Sequence, residues 1–216
     1  MSEESETAQY LAQRIRIYPT EEQERVLLDL CEQCRLLYNF TLIKKRRIWE
    51  AIKDLPSKER TKKDPSVWDW NDSLPKLKKH YPDYKMVHSK VLQNIMARID
   101  GEYKSFFGKW GAGDKTARPP SLRAKGFVFT MHYSQSGFYF RDDLLKLSHK
   151  HPSKVDLVFD IGHPHREKKI GTQTYLLDPY VHEPKGVYVK CDPKGRWFVS
   201  ILYRFEISPF EGNGKV

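Results

Sequence analysis

Arg14-Ile15-Arg16-Ile17-Tyr18-Pro19-Thr20-Glu21-Glu22-Gln23 holds the end of a strand and the start of a helix. Ile15 and Ile17 alternate with Arg14 and Arg16, the period of a half-buried strand, and Pro19 ends it because proline cannot donate to a ladder. The strand reads as short. Thr20 followed three residues later by Gln23 is a capping-box pattern, so a helix begins at Glu21. Leu27, Leu30, Cys34, Leu37 and Leu42 then recur as a stripe facing a core. Lys44, Lys45, Arg46 and Arg47 follow as a basic cluster, either a solvated face or a phosphate-contacting one.

Outward from this junction, residues 54–65 are charged, carry two prolines and lack apolar periodicity, which predicts a linker or mobile loop ended by Trp68 and Trp70. A short helix over 73–80 precedes a Tyr81-Pro82 turn. A longer amphipathic helix carries Val91, Leu92, Ile95, Met96, Ile99, Tyr103 and Phe106. Gly111, Gly113, Pro119 and Pro120 break the helical pattern, and the rest of the chain turns to short β-type runs: 127–133, 138–140, 144–147, 155–159, 187–191 and 197–205. Asp192-Pro193-Lys194-Gly195 suits a type I turn and makes the last two runs an antiparallel hairpin. One strand, then helices, then many strands predicts an α+β fold, a small antiparallel barrel with a helical insertion.

The 216 residues suffice for one sizeable core or two small ones. Lys and Arg number 38 against 28 Asp and Glu, a formal charge of +10, so the summed field attracts polyanions, nucleic acid foremost. Cys31, Cys34 and Cys191 are too few and too unevenly placed for a disulfide framework, which favours a reducing compartment, with cytoplasm as the default. The acidic, polar start lacks the form of a signal peptide, and no run approaches the ~18 apolar residues of a membrane span. No membrane partner is expected.

Several blocks, read in order, resemble the front half of the TnpB family, the RNA-guided nucleases of bacterial and archaeal insertion sequences and relatives of type V CRISPR effectors. They are Arg14-Ile-Arg-Ile-Tyr-Pro-Thr20, Cys34-Arg-Leu-Leu-Tyr-Asn39, Leu74-Pro-Lys-Leu-Lys78, Ser89-Lys-Val-Leu-Gln93 with Phe106-Phe107, Pro119-Pro-Ser-Leu-Arg123, Phe129-Thr130 and Gly195-Arg-Trp-Phe-Val-Ser200. The resemblance implies an oligonucleotide-binding-like barrel, the wedge domain, interrupted by a helical recognition domain. Residues 8–20 would be the first barrel strand, 21–112 the helical domain, 113–210 the remainder of the barrel and 211–216 the lead-in to a nuclease domain.

In that family these domains hold a guide RNA from the transposon end and read a short motif on double-stranded DNA, while base pairing reads the rest. Gln93 matches a motif-reading glutamine and Thr130 a threonine that reaches the same DNA. Ser89, one helical turn before Gln93, matches a lysine in some relatives. An amide can pair bidentately with adenine and a hydroxyl can serve either groove edge. Lys44, Lys45, Arg46, Arg47, Arg118, Arg123 and Lys125 are candidate phosphate contacts. Tyr38 and Asn39, a family hallmark, read as packing.

The family's nuclease is a ribonuclease-H-like domain whose carboxylates hold Mg²⁺. Glu211-Gly-Asn-Gly-Lys-Val216 resembles the lead-in to its Gly-Ile-Asp strand, whose Asp would be the first metal ligand. No catalytic residue, cofactor or metal is therefore expected within these residues, and a nuclease domain continuing the same gene would be a partner. Three rival signals stand beside this reading. Asp160-Ile161-Gly162 after a β-type run mimics a ribonuclease-H strand. Cys31-x-x-Cys34 lacks the second pair that zinc needs. His163 and His165 lack a third ligand. The alternative function is a free-standing helix-turn-helix DNA-binding protein of a mobile element, which residues 54–65 disfavour because that motif needs a turn of about three or four residues. A protein–protein adaptor with incidental charge ranks last.

Overall fold

A computed structural model describes residues 7–162, 165–170 and 173–207. The chain opens on β1 (Thr7–Ile17), an eleven-residue strand rather than a short one. Leu11, Gln13 and Ile17 are buried on one face while Ala12, Arg14 and Arg16 are exposed on the other. A glutamine at an inward position breaks the apolar alternation, which hides the strand's first half from a period-two reading.

Helix α1 (Glu21–Ile52) starts where the capping box places it: the Thr20 hydroxyl accepts from the Gln23 backbone and the Gln23 side chain accepts from the Thr20 N–H. Leu27, Leu30, Cys34, Leu37 and Leu42 are wholly buried, and each such leucine contributes roughly 1.5–3 kcal/mol of transfer free energy. The helix runs unbroken for 32 residues, roughly 48 Å at ~1.5 Å per residue.

Residues 54–65 do not form a loop. They hold α2 (Ser57–Lys63), a helix with no buried residue, so no apolar stripe could announce it. Helix α3 (Val67–His80) is also longer than the sequence suggests. Pro75 suits a first helical turn, yet it sits inside the helix, whose start is a capping box between Ser66 and Asp69. Trp70 and Leu74 form the buried face of α3. A 3₁₀ turn (Pro82–Met86) leads into α4 (Ser89–Gly111), capped by His88, with Val91, Leu92, Ile95, Met96 and Ile99 buried.

Among the described residues eight strands follow: β2 (Met131–Tyr133), β3 (Phe138–Arg141), β4 (Leu144–Leu147), β5 (Leu157–Asp160), β6 (Arg166–Ile170), β7 (Gln173–Leu177), β8 (Gly186–Cys191) and β9 (Trp197–Ile207). The run expected over 127–133 is a strand only from Met131. β6 and β7 escape the sequence reading because β6 is almost wholly exposed and polar. The β3–β4 hairpin turns at Asp142 and Asp143, both at positive φ, as a two-residue primed turn requires. The β8–β9 hairpin turns through 192–195 as the sequence predicts, with Gly195 N–H donating to the Asp192 carbonyl at 3.0 Å.

The fold is α+β with all sheets antiparallel. Their orders are β1-β9-β8-β2, β3-β4-β5 and β6-β7, and among the described residues none closes into a barrel. One continuous apolar core joins β1, α1, α4 and strands of all three sheets, with Tyr38, Phe129, Tyr133 and Tyr203 among its largest members. No helix among the described residues is long and apolar enough to cross a membrane.

Candidate nucleic-acid interface

Helices α3 and α4 pack along a seam that carries two of the sequence-predicted residues. Gln93 is half-buried and lines an open groove of about 380 Å³ with Trp68, Asn71 and Asp72 from α3 and Lys90, Asn94 and Ala97 from α4. Asn94 fixes the floor: its amide donates to the Lys90 carbonyl at 2.9 Å and to the His132 carbonyl at 3.2 Å, tying α4 to β2. Trp68 stands at the rim, 78% exposed. A flat exposed indole beside amide side chains and a cation offers a base both a stacking face and hydrogen-bonding groups.

Ser89 lies one turn from Gln93, also against α3, but in a separate groove, where its hydroxyl accepts from the Lys78 ammonium at 2.8 Å. Thr130 is half-buried between the buried Phe129 and Met131, in the segment leading into β2. It lies two residues before His132, whose carbonyl Asn94 holds.

The basic cluster of α1 divides. Lys45 is buried, its ammonium 3.7 Å from carboxylate oxygens of both Asp64 and Asp100, and so its charge is balanced internally. Arg46 donates to the Pro120 carbonyl. Lys44 lies 5.3 Å from the centroid of the Trp70 ring, and Arg47 is exposed. Arg118 donates to the Lys115 and Ala117 carbonyls, and Lys125 is exposed.

Arg123 is half-buried, its guanidinium 3.0 Å from Glu102 and stacked between the Tyr38 and Phe127 rings. Tyr38, which is fully buried, donates its hydroxyl to the other Glu102 oxygen. Asn39 holds the Arg123 backbone through two hydrogen bonds. The Tyr38-Asn39 pair thus pins the Pro-rich segment before β2 onto α1.

Cys31 and Cys34 are buried; the Cys31 thiol donates to the Phe129 carbonyl, and burial pushes it up to about 12 and Cys34 well above the ordinary thiol range. Both are protonated core residues. The Asp160 carboxylate accepts from the Gly162 N–H at 2.7 Å as a turn residue. His165 faces Asp178, while His163 and residues 211–216 lie outside the described residues. No group of three or more His, Cys, Asp or Glu side chains that could hold a metal ion occurs among the described residues.

Sequence reasoning misses Trp68, Asn71, Lys90 and Asn94 as parts of this groove. The Ser66-x-x-Asp69 cap, which places Trp68 on an ordered first turn, is the signal that could have found the first of them.

Two comparisons with known proteins match this chain, one over its first strand and helix and one over most of its length. Residues 9–54 match a family model described as a helix-turn-helix domain, of the OrfB type of IS605 elements. In this structure that span is most of β1 and all of α1, one unbroken helix. The chain is also 26% identical over 196 residues to a Streptomyces pristinaespiralis protein named as a candidate RNA-guided DNA endonuclease. The alignment covers 91% of this chain and 42% of that relative. Together the two matches support assignment of the chain to the TnpB/OrfB family.

Proposed function

We propose that this chain is the nucleic-acid-binding module of a TnpB-like, transposon-encoded RNA-guided DNA endonuclease. It holds a guide RNA from the transposon end and reads a short motif on double-stranded DNA beside the target. The family matches support a DNA-binding module. The observation that carries the finer reading is the open groove in which Gln93 stands beside Trp68, Asn71 and Lys90 on α3 and α4. The sheet of β1, β9, β8 and β2, packed on α1, takes the role of the oligonucleotide-binding-like wedge. Cleavage belongs to a ribonuclease-H-like domain outside these 216 residues, in keeping with the 42% of the relative that the chain covers.

The test is selection of bound duplexes from a pool randomised at the motif, in the presence of the guide RNA. Gln93→Ala relaxes preference at one or two base pairs by about 1–3 kcal/mol while leaving general affinity in place. Equal binding of all duplexes by the wild-type chain rejects the reading. The helix-turn-helix description of the matched family favours a second reading, a free-standing duplex-DNA binder; preference for duplex over structured RNA distinguishes it.

A further inference from the structure

One helical turn along the α3–α4 seam from Gln93 lies the groove that contains Ser89, about 390 Å³ in volume. It is built by three separate stretches: Lys78 from α3, Lys85 and Val87 to Ser89 from the 3₁₀ turn into the start of α4, and Ser148 to Lys150 after β4. The last stretch is held in place by the Lys150 N–H, which donates to the Met86 carbonyl at 2.8 Å. Three lysines line the groove and no carboxylate does. Such convergence of like charge is unfavourable unless an anion completes it.

The donors are arranged for one. Lys78 gives two of its three N–H bonds to Ser89 Oγ and the Val87 carbonyl, which fixes the ammonium and leaves a donor. Ser89 Oγ, accepting from Lys78, keeps its own proton to give. His88 Nδ1 accepts from the Lys90 N–H, so in the neutral ring the proton sits on Nε2. Lys85 and Lys150 make no ion pair among the described residues. Burial, and then Lys150, hold the Lys78 amine below its ordinary range, while burial and then Lys78 and Lys90 do the same to His88. Both shifts are ones a bound anion reverses.

We propose that this groove binds a backbone phosphate of the DNA whose bases face Gln93. Ser89 and Gln93 are four positions apart, roughly 6 Å along α4, so a strand lying on the seam meets both grooves at once. Gln93 reads and the Lys78–Lys150 groove sets the register of what is read. The inference rests on the proposed DNA-binding function and adds to it a site.

The experiment measures binding of a fluorescein-labelled DNA duplex carrying the motif to the full chain, over a salt series, by anisotropy. The double variant Lys85→Gln/Lys150→Gln changes only exposed side chains. It is expected to bind several-fold more weakly whatever the sequence, and the slope of log affinity against log salt should fall by about one for each phosphate no longer neutralised. Gln93→Ala changes sequence preference and keeps the slope. Wild-type affinity and slope in the double variant overturn the groove assignment while leaving DNA binding standing. A reduced slope seen only with a guide-RNA hairpin overturns it as well, because the phosphate would then be RNA. A wild-type chain that binds no duplex overturns the proposed function, and this site with it.

Discussion

The side-chain amide of Asn39 donates to the Arg123 carbonyl at 2.9 Å and accepts from the Arg123 N–H at 2.8 Å, across 84 residues of chain. An asparagine here imitates a strand, giving the Arg123 backbone the two bonds a neighbour would supply, and the Arg35 guanidinium adds a second donor to the same carbonyl at 3.1 Å. Asn39→Ala removes both and is expected to cost roughly 1–3 kcal/mol, read as a lower urea midpoint. It should also raise proteolysis within residues 112–127. Unchanged stability and cleavage would count against the clamp.

The core tolerates nothing larger than glycine at position 186. A Cβ there would stand 2.6 Å from His132 Nε2 and 3.1 Å from the Tyr133 carbonyl oxygen. The imidazole cannot retreat easily, since it lies flat against Tyr188 with centroids 4.2 Å apart. Gly186→Ala is therefore expected to destabilise by roughly 1–3 kcal/mol, measured by thermal melting.

Lys45 balances two carboxylates of which Asp64 is the more exposed, at 38% for its side chain against 25% for Asp100. Lys45→Met should destabilise the helical domain by less than the ~3–5 kcal/mol of a fully buried broken pair. Adding Asp100→Asn should recover part of that deficit. If the double variant is weaker than the sum of the single ones in denaturant titration, the charge argument fails.

His88, His132 and His149 are each held below the ordinary 6.5, with burial the first cause. A folded value under the unfolded one means that neither state is charged well above pH 6.5. As pH falls through 6.5 the unfolded chain takes up protons first, so stability drops until the folded values are reached. Asp192, held down to about 2 by its bonds from Arg196, contributes stability that is lost as pH falls from 3.8 through about 2. Calorimetry should show the melting temperature declining in these two acid windows, the upper one shrinking in His132→Gln. A melting temperature that rises on acidification below pH 6.5 would refute the assignment.

The parts of the fold legible in the sequence are those where local chemistry and burial agree. Thr20 with Gln23, the α1 leucines, the apolar face of α4 and the 192–195 turn each carry a signal within a few residues. α2 and β6 carry none because they bury almost nothing, and secondary structure that leaves no face dry leaves no period. At the interface, Gln93 is found by resemblance and sits in an open groove. Lys85 and Lys150 cannot be found that way, because what makes them notable is their convergence from stretches 65 residues apart along the chain, with no acid between them.

β1 pairs with β9 along its whole length, from Thr7 opposite Ile207 to Ile17 opposite Trp197. On a ribosome emitting ~5–20 residues per second, the first strand waits roughly 10–40 s for its neighbour to appear. During that interval α1, α3 and α4 can condense through contacts close in sequence, while β1 exposes an unsatisfied ladder. The strand's bare edge, its arginines at 14 and 16 pointing away from the core, is then shielded from other nascent chains by charge until the last hairpin closes over it.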